Sequence, residues 1–454
     1  MTDVVDTRTE GSEAPGDRSG GPALPPPAKT LPLLIAAGLV GAAVWSVVSG
    51  NGIYMLGVLG FVVALLVSVT LHELGHFLTA RHYGMKSTQF FVGFGKTLWS
   101  RQRGETEWGI KAIPAGGFVK IVGMTSLEEI DPADEERAFY KQPAGPRAVV
   151  LAAGSTVHFL LAILLVVGSS MLIGKAVEKP PAVDVVASCV PAEATLDCDA
   201  PGGVPSPAQA AGLASGDTLL AVDGRPVDGL RAFVEQVREA PGEAITVTVD
   251  RGGQRQDIPV TPAAVMRPTL DDPTVTEQVG AIGVVMKFRQ GTESLGPVEA
   301  VGHSATTMKQ IVTGVWTTLS EKLDTITKVY SDDRDPQGFV GVVGASRISG
   351  EVIASEETVA FKALGFLLLI AGLNFFVGVF NLLPLLPLDG GHLAVLGFEQ
   401  ARDKVKRRMG YTGALRRVDL TRLLPVTYAV VLFFAGFTIW LLGADLVNPI
   451  RLNS

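Results

Sequence analysis

Residues 55–79 read MLGVLGFVVALLVSVTLHELGHFLT, and no charged residue precedes His72 in that stretch. At 1.5 Å per residue, a helix of this length crosses the hydrocarbon core of a bilayer. His72, Glu73 and His76 stand at its end. The i, i+4 spacing puts both imidazoles on one helix face, one turn apart, where they can share a zinc ion. Glu73 between them then suits a general base acting on a water that the metal activates. Two surface histidines would give the same five-residue pattern. Three ionisable groups on a membrane helix, however, are costly and mark function.

Working outward, four further uncharged or nearly uncharged runs have membrane length: Leu31–Ser49, Ala148–Ile173, Val359–Leu383 and Pro425–Leu442. The expected fold class is therefore a polytopic α-helical membrane protein of about five spans. Arginines and lysines crowd the loop 81–147 and the loop before the last span, including Arg402, Lys404, Arg407, Arg408 and Arg417. Basic loops stay cytoplasmic. This predicts a multi-pass protein of the inner (plasma) membrane with a cytoplasmic N-terminus. The acid-rich segment 174–358 then lies outside. Residues 1–30, rich in Pro, Gly, Ser and acids, read as a disordered tail. The remaining divisions are a span at 31–49, a membrane half at 55–173, a second membrane half at 359–443 and a C-terminal tail at 444–454.

The 454 residues are 47% hydrophobic and 18% charged, too apolar for an ordinary soluble enzyme. A net charge of −7 argues against nucleic acid as a partner, and no phosphate-binding glycine loop is present. The two cysteines, Cys189 and Cys198, flank a short loop on the outer side. An oxidising compartment favours a disulfide between them, with two unpaired thiols as the alternative.

Within the outer segment, SPAQAAGLASGDTLLAVDGRPV at 206–227 alternates turn signals with short apolar strands. Asp223-Gly224 predicts a hairpin turn. Leu230–Ala240 has helical spacing, and two strands are expected at 243–250 and 254–261. Residues 205–263 resemble a PDZ domain, a module that captures extended peptides and carboxyl ends by strand addition. Another small β-rich domain would fit the same signals. Residues 298–329 read as amphipathic helices, lying either at the membrane face or partly buried in the outer region.

A zinc ion held by two histidines lacks a third protein ligand. Residues 381–392, NLLPLLPLDGGH, offer Asp389 at the end of an apolar span, where an unpaired carboxylate is costly and a cation relieves it. Pro384 and Pro387 exclude a regular helix there. Gly390 and Gly391 are expected to allow a tight turn and close packing against the zinc helix. A capping aspartate in a Pro/Gly-rich loop is the plainer reading.

Taken together, HELGH at 72–76, PAGGFVK at 114–120, the PDZ-like stretch and NLLPLLPLDGGH at 381–392 resemble the site-2 protease family, in its bacterial branch that cleaves anti-sigma factors in stress responses. The resemblance covers about residues 55–442. It implies zinc held by His72, His76 and Asp389, with Glu73 as the catalytic acid–base group. It also implies a cytoplasmic membrane-dipping β-hairpin at 114–122, where Gly116, Gly117 and Phe118 meet substrate. Asn374 or Asn381 would hold an unwound substrate backbone, or else serve helix packing. Implied substrates are single-span membrane proteins, already trimmed on their outer side. One departure is GSTVHF at 154–159, where His158 stands at a position the family commonly gives to an amide. A scaffold with a decayed site and a metal transporter are the rival classes; intact Glu73 and Asp389 disfavour the first, and a glutamate between the ligands the second.

Overall fold

The structure is a computed structural model that describes residues 51–124, 130–191, 203–272, 274–331, 334–335, 338–413 and 417–450. The expected tail at 1–30, the expected span at 31–49 and Cys198 lie outside the described residues.

Four of the described helices are long and apolar enough to cross a membrane: α1 (Gly52–His82), α2 (Ala144–Leu172), α7 (Val359–Asn381), and α9 (Leu424–Val447) with the short turn before it. Their surfaces invert the soluble pattern. On α9, Leu432, Phe433 and Ile439 are each about two-thirds exposed or more, as lipid-facing side chains must be. Buried small and polar groups lie on the facing sides instead. Ser349 Oγ donates to the Gly57 carbonyl at 2.9 Å, and a Cβ on Gly57 would lie 2.5 Å from the Ser349 carbonyl oxygen. This backbone-to-backbone approach binds α1 to α6 (Val342–Ala354), a helix the sequence reading did not anticipate.

α1 ends where Gly84 turns with φ +74°; its amide donates to Arg81 and that of Met85 to Ala80. The chain then enters β1 (Ser87–Arg103) and β2 (Thr106–Ile121). Both strands are long and bent, so they make more than a hairpin. Residues 89–92 pair on one side with 107–110 and on the other with 117–120, and 99–103 pair back onto 106–110. Gly93 and Gly95, with φ +90° and +81°, make the bend, and a Cβ on Gly93 would lie 2.8 Å from the Ile113 carbonyl oxygen. The simple hairpin expected at 114–122 is thus the outer strand of a larger sheet. Phe94, Leu98, Trp99, Ile110 and Ile113 near its bends are exposed apolar groups suited to a bilayer.

Beyond α2 the chain builds a six-stranded sheet. Its path runs β9 (Val284–Glu293), β3 (Lys175–Val186), β4 (Thr218–Val222), β5 (Ile245–Arg251) and β6 (Gln254–Val260), and Arg225–Pro226 adds to β4. Helices α3 (Pro207–Ala211) and α4 (Leu230–Arg238) cover it. Phe233, Leu219, Val247 and Val249 form its core. The Asp223-Gly224 turn has φ +48° and +75°, as the sequence predicts. β3 and β9, however, lie outside 205–263, because the outer strands come from segments far apart in sequence. A ribbon of β7 (Ala263–Pro268) and β8 (Thr276–Ala281) precedes β9. α5 (Pro297–Glu321) and a 3-10 turn (Leu323–Lys328) follow.

Asp217 ties this sheet to its loop. It is 1% exposed, accepts from the Ala214 amide and takes both Nε and Nη2 of Arg251 at 2.7 Å. The Arg251 hydrogen bonds hold its carboxyl below the usual aspartate range. A depressed folded-state pKa stabilises above the ordinary value near 4, and that contribution is lost as pH falls through the folded value. Asp217→Asn should therefore cost about 2 kcal/mol at neutral pH and almost nothing at a pH below the folded value. Hydrogen exchange of β5 and β6 amides at the two pH values, in the full chain, measures it. Equal losses at both would refute the pairing as the cause.

Candidate active site

The site forms where α1, α2 and the start of α8 (Asp389–Arg408) meet. α1 and α2 approach closely because both carry glycine at the crossing. A Cβ on Gly75 would lie 2.8 Å from Val157 Cγ2, and one on Gly154 would lie 2.5 Å from His76 Nε2. The chain breaks its helix at 382–388 and restarts at Asp389, in the first turn of α8. An acid is favoured at that helix end, and here it is also brought to the histidines. Gly390 and Gly391 meet the preceding turn most closely. A Cβ on Gly391 would meet the Leu385–Leu386 backbone at 2.5 Å, so these glycines let α8 fold back on the preceding turn.

His72 Nε2 and His76 Nε2 are 3.1 Å apart, and Asp389 Oδ2 lies 3.4 and 3.2 Å from them. Ligands 2.0–2.2 Å from a tetrahedral ion are separated by about 3.3 Å. Protonation supports the same fit. His76 Nδ1 is 2.7 Å from the Val150 carbonyl, which can only accept, so that nitrogen carries the proton and Nε2 presents a lone pair. Asp389 Oδ2 is buried with no hydrogen-bond partner. Two ring nitrogens and a carboxylate oxygen converging in this way could hold a metal ion, and the nitrogen–nitrogen–oxygen set suits zinc.

Glu73 sits beside this set. Its Oε2 accepts from the Val119 amide at 3.1 Å, which ties it to the outer strand of the β1–β2 sheet. Gly117 passes so close that a Cβ there would lie 3.5 Å from Glu73 Cγ, and Gly116 adopts φ +137°. Phe118 stacks between Phe91 and Phe94, with centroids 5.6 and 6.2 Å away.

Asn374 spends its amide on the protein itself. Its Oδ1 accepts from Ser68 Oγ at 2.8 Å and faces His158 Nδ1 at 2.9 Å, while Nδ2 donates to the Ile370 carbonyl. Asn381 is half-buried and makes no side-chain hydrogen bond among the described residues. His158 is 1% exposed, and its ring centroid lies 4.9 Å from that of His72. It orients neighbours and stays outside the three-donor set. Cys189 is disulfide-bonded. Sequence reasoning missed Val150, whose contribution is a main-chain carbonyl, and Gly154, whose signal was only a glycine inside a span.

Fold and site together define a multi-pass membrane metallopeptidase. The chain belongs to peptidase family M50, the site-2 proteases, whose family model matches residues 60–418. It is similar to the zinc metalloprotease Rip1 of Mycobacterium tuberculosis strain Erdman, with 37% identity over 424 residues that cover 88% of this chain and 99% of that protein. Rip1 of Mycolicibacterium smegmatis is 36% identical over 414 residues, covering 87% and 98%. A putative zinc metalloprotease of Rhizobium meliloti, R01501, is 32% identical over 401 residues, covering 84% and 94%. The chain is thus a zinc metalloendopeptidase that acts on membrane proteins within the bilayer.

Proposed function

We propose that His72, His76 and Asp389 hold the zinc, that Glu73 is the general base and acid, and that the substrates are pre-trimmed single-span proteins such as anti-sigma factors. The observation that carries this reading is the Val119–Glu73 hydrogen bond beside the three converging donors. When bound, zinc supplies Lewis-acid polarisation of a carbonyl and lowers the pKa of water toward neutrality. Glu73 takes the proton from the attacking water and returns it to the leaving amine. The Val119 amide fixes one carboxylate oxygen and leaves the other for that transfer. A membrane helix hides its peptide bonds by internal hydrogen bonding, so the substrate must unwind first. Residues 116–119, on an outer strand next to Glu73, offer it backbone partners in exchange. Asn381 is the better placed of the two asparagines to join them, since Asn374 is already engaged.

In this reading the loops 81–147 and 402–422 face the cytoplasm of the inner membrane, and the six-stranded sheet lies outside as a PDZ-like domain. A groove supports peptide capture there. β9 pairs only with β3 among the described strands, and its other edge at Val284–Met286 faces Phe233, Val234 and Val237 across a cavity of about 360 Å³. Val234→Arg should fill this groove and weaken binding of peptides with free carboxyl ends by at least about tenfold. Calorimetry on the full chain in detergent measures it, and unchanged affinity would reject the groove as the peptide site. For the substrate class, single-span proteins that accumulate in a Glu73→Gln strain should include anti-sigma factors with shortened outer domains. Accumulation of uncut proteins alone would overturn the requirement for prior trimming.

A further inference from the structure

A second cavity lies between the end of α1 and the β1–β2 sheet. Phe77, Arg81, Met85, Ser87, Arg103, Trp108 and Arg137 are among its lining residues, and its volume is about 660 Å³. It holds three arginines and one acid, Glu105. Arg137 consumes that acid completely, donating from Nη1 and Nη2 to its two oxygens at 2.6 and 2.8 Å. The side chains of Arg81 and Arg103 make no hydrogen bond or ion pair with any described residue. Among the described lining residues the cavity thus keeps an excess of two positive charges. Its wall also contains the Ser87 hydroxyl, which is buried with no partner.

The wall also carries apolar side chains. Phe77 and Met85 are almost fully buried, and Trp108 packs edge-on against Phe77 with centroids 4.9 Å apart. The carbonyls that end α1 do not repel an anion, because Gly84 O accepts from Arg137 Nε at 3.0 Å and the preceding turn is capped. The position is the end of a membrane span, where tryptophan and arginine meet the headgroup layer.

We propose that this cavity binds the phosphate of an anionic phospholipid, with Arg81 and Arg103 on the phosphate and the Trp108 ring against the upper acyl chain. A headgroup held there bridges the end of α1 to the 103–106 turn. It thereby fixes the height of the sheet whose outer strand carries Val119. Phosphate chemistry alone would also admit a soluble phosphate, so the test must separate the two sources.

The test uses the full-length, zinc-loaded protein in nanodiscs, with native mass spectrometry counting retained lipid. Dioleoylphosphatidylglycerol should be retained in preference to dioleoylphosphatidylcholine. Arg81→Ala/Arg103→Ala should weaken phosphatidylglycerol retention about thirtyfold, in line with the loss of two interfacial charges. Arg81→Lys/Arg103→Lys should recover most of it, and Arg101→Ala, outside the cavity, should change nothing. If the double variant loses zinc or its fold, Arg103→Glu in the exposed turn gives the same reading. Resistance to millimolar inorganic phosphate assigns the site to lipid, whereas displacement by it assigns the same site to a soluble phosphate and overturns the lipid source. Phosphatidylglycerol retention unchanged in the folded arginine variants would overturn the proposal altogether.

Discussion

Glu73→Gln should lower peptide hydrolysis by about a thousandfold, the middle of the range for a lost general base, while zinc content should stay at the wild-type level. The amide keeps the shape of the carboxylate, and its oxygen still accepts from the Val119 amide, so the outer strand stays in register. What it would lose, on the proposed mechanism, is the ability to take a proton from water and hand it to the leaving nitrogen. His72, His76 and Asp389 are untouched, so metal retention separates chemistry from assembly. A reconstituted single-span substrate and elemental analysis of the same preparation provide both readouts. Cleavage at the wild-type rate would remove Glu73 from the mechanism, and loss of zinc would make it a structural group instead.

Gly154→Val empties the centre. The new side chain begins where a Cβ lies 2.5 Å from His76 Nε2, the face that must meet the metal. Neither helix can retreat freely, because Gly75 on α1 is pressed against Val157 and the Ala153 carbonyl. Close-packed helices absorb such an overlap only by shifting a ligand. Displacing a ligand exceeds the effect of losing one of its supporting groups, so zinc affinity should fall by at least about a hundredfold. Gly168→Val on the same helix is the control, since no atom lies within 4 Å of its Cβ position. Chelator competition monitored by zinc release compares the two. Equal affinities would show that α2 is not the wall of the site.

Much of this architecture was legible in the sequence because membranes impose strict local rules. A span must be long, apolar and helical, so residues 55–79 and 359–383 announced themselves, and the histidine spacing is a property of one helix. Asp389 was legible as a misplaced charge. The turns of the outer domain followed from Asp223-Gly224 and its neighbours. By contrast, α6 and the start of α8 were missed, the first because it is short and amphipathic, the second because prolines at 384 and 387 drew attention to the break and away from the helix that follows. The closest neighbours of the glycines were not legible either: Gly390 and Gly391 lie nearest their own preceding turn, and Gly154 lies against His72 and His76. A glycine's partner cannot be read from the residues beside it in the chain.

By itself the sequence determined that this chain crosses a membrane several times and carries two halves of a zinc site on separate segments, because helix period, hydropathy and ligand spacing are local quantities. Only the tertiary structure decided that the halves converge with all three donor contacts between 3.1 and 3.4 Å. It alone supplied the Val150 carbonyl that sets the His76 tautomer and the Val119 amide that holds Glu73. Those groups are main-chain atoms from other elements, and every residue offers the same ones. Which of them reaches a functional atom is settled by packing between elements, and no residue type records it.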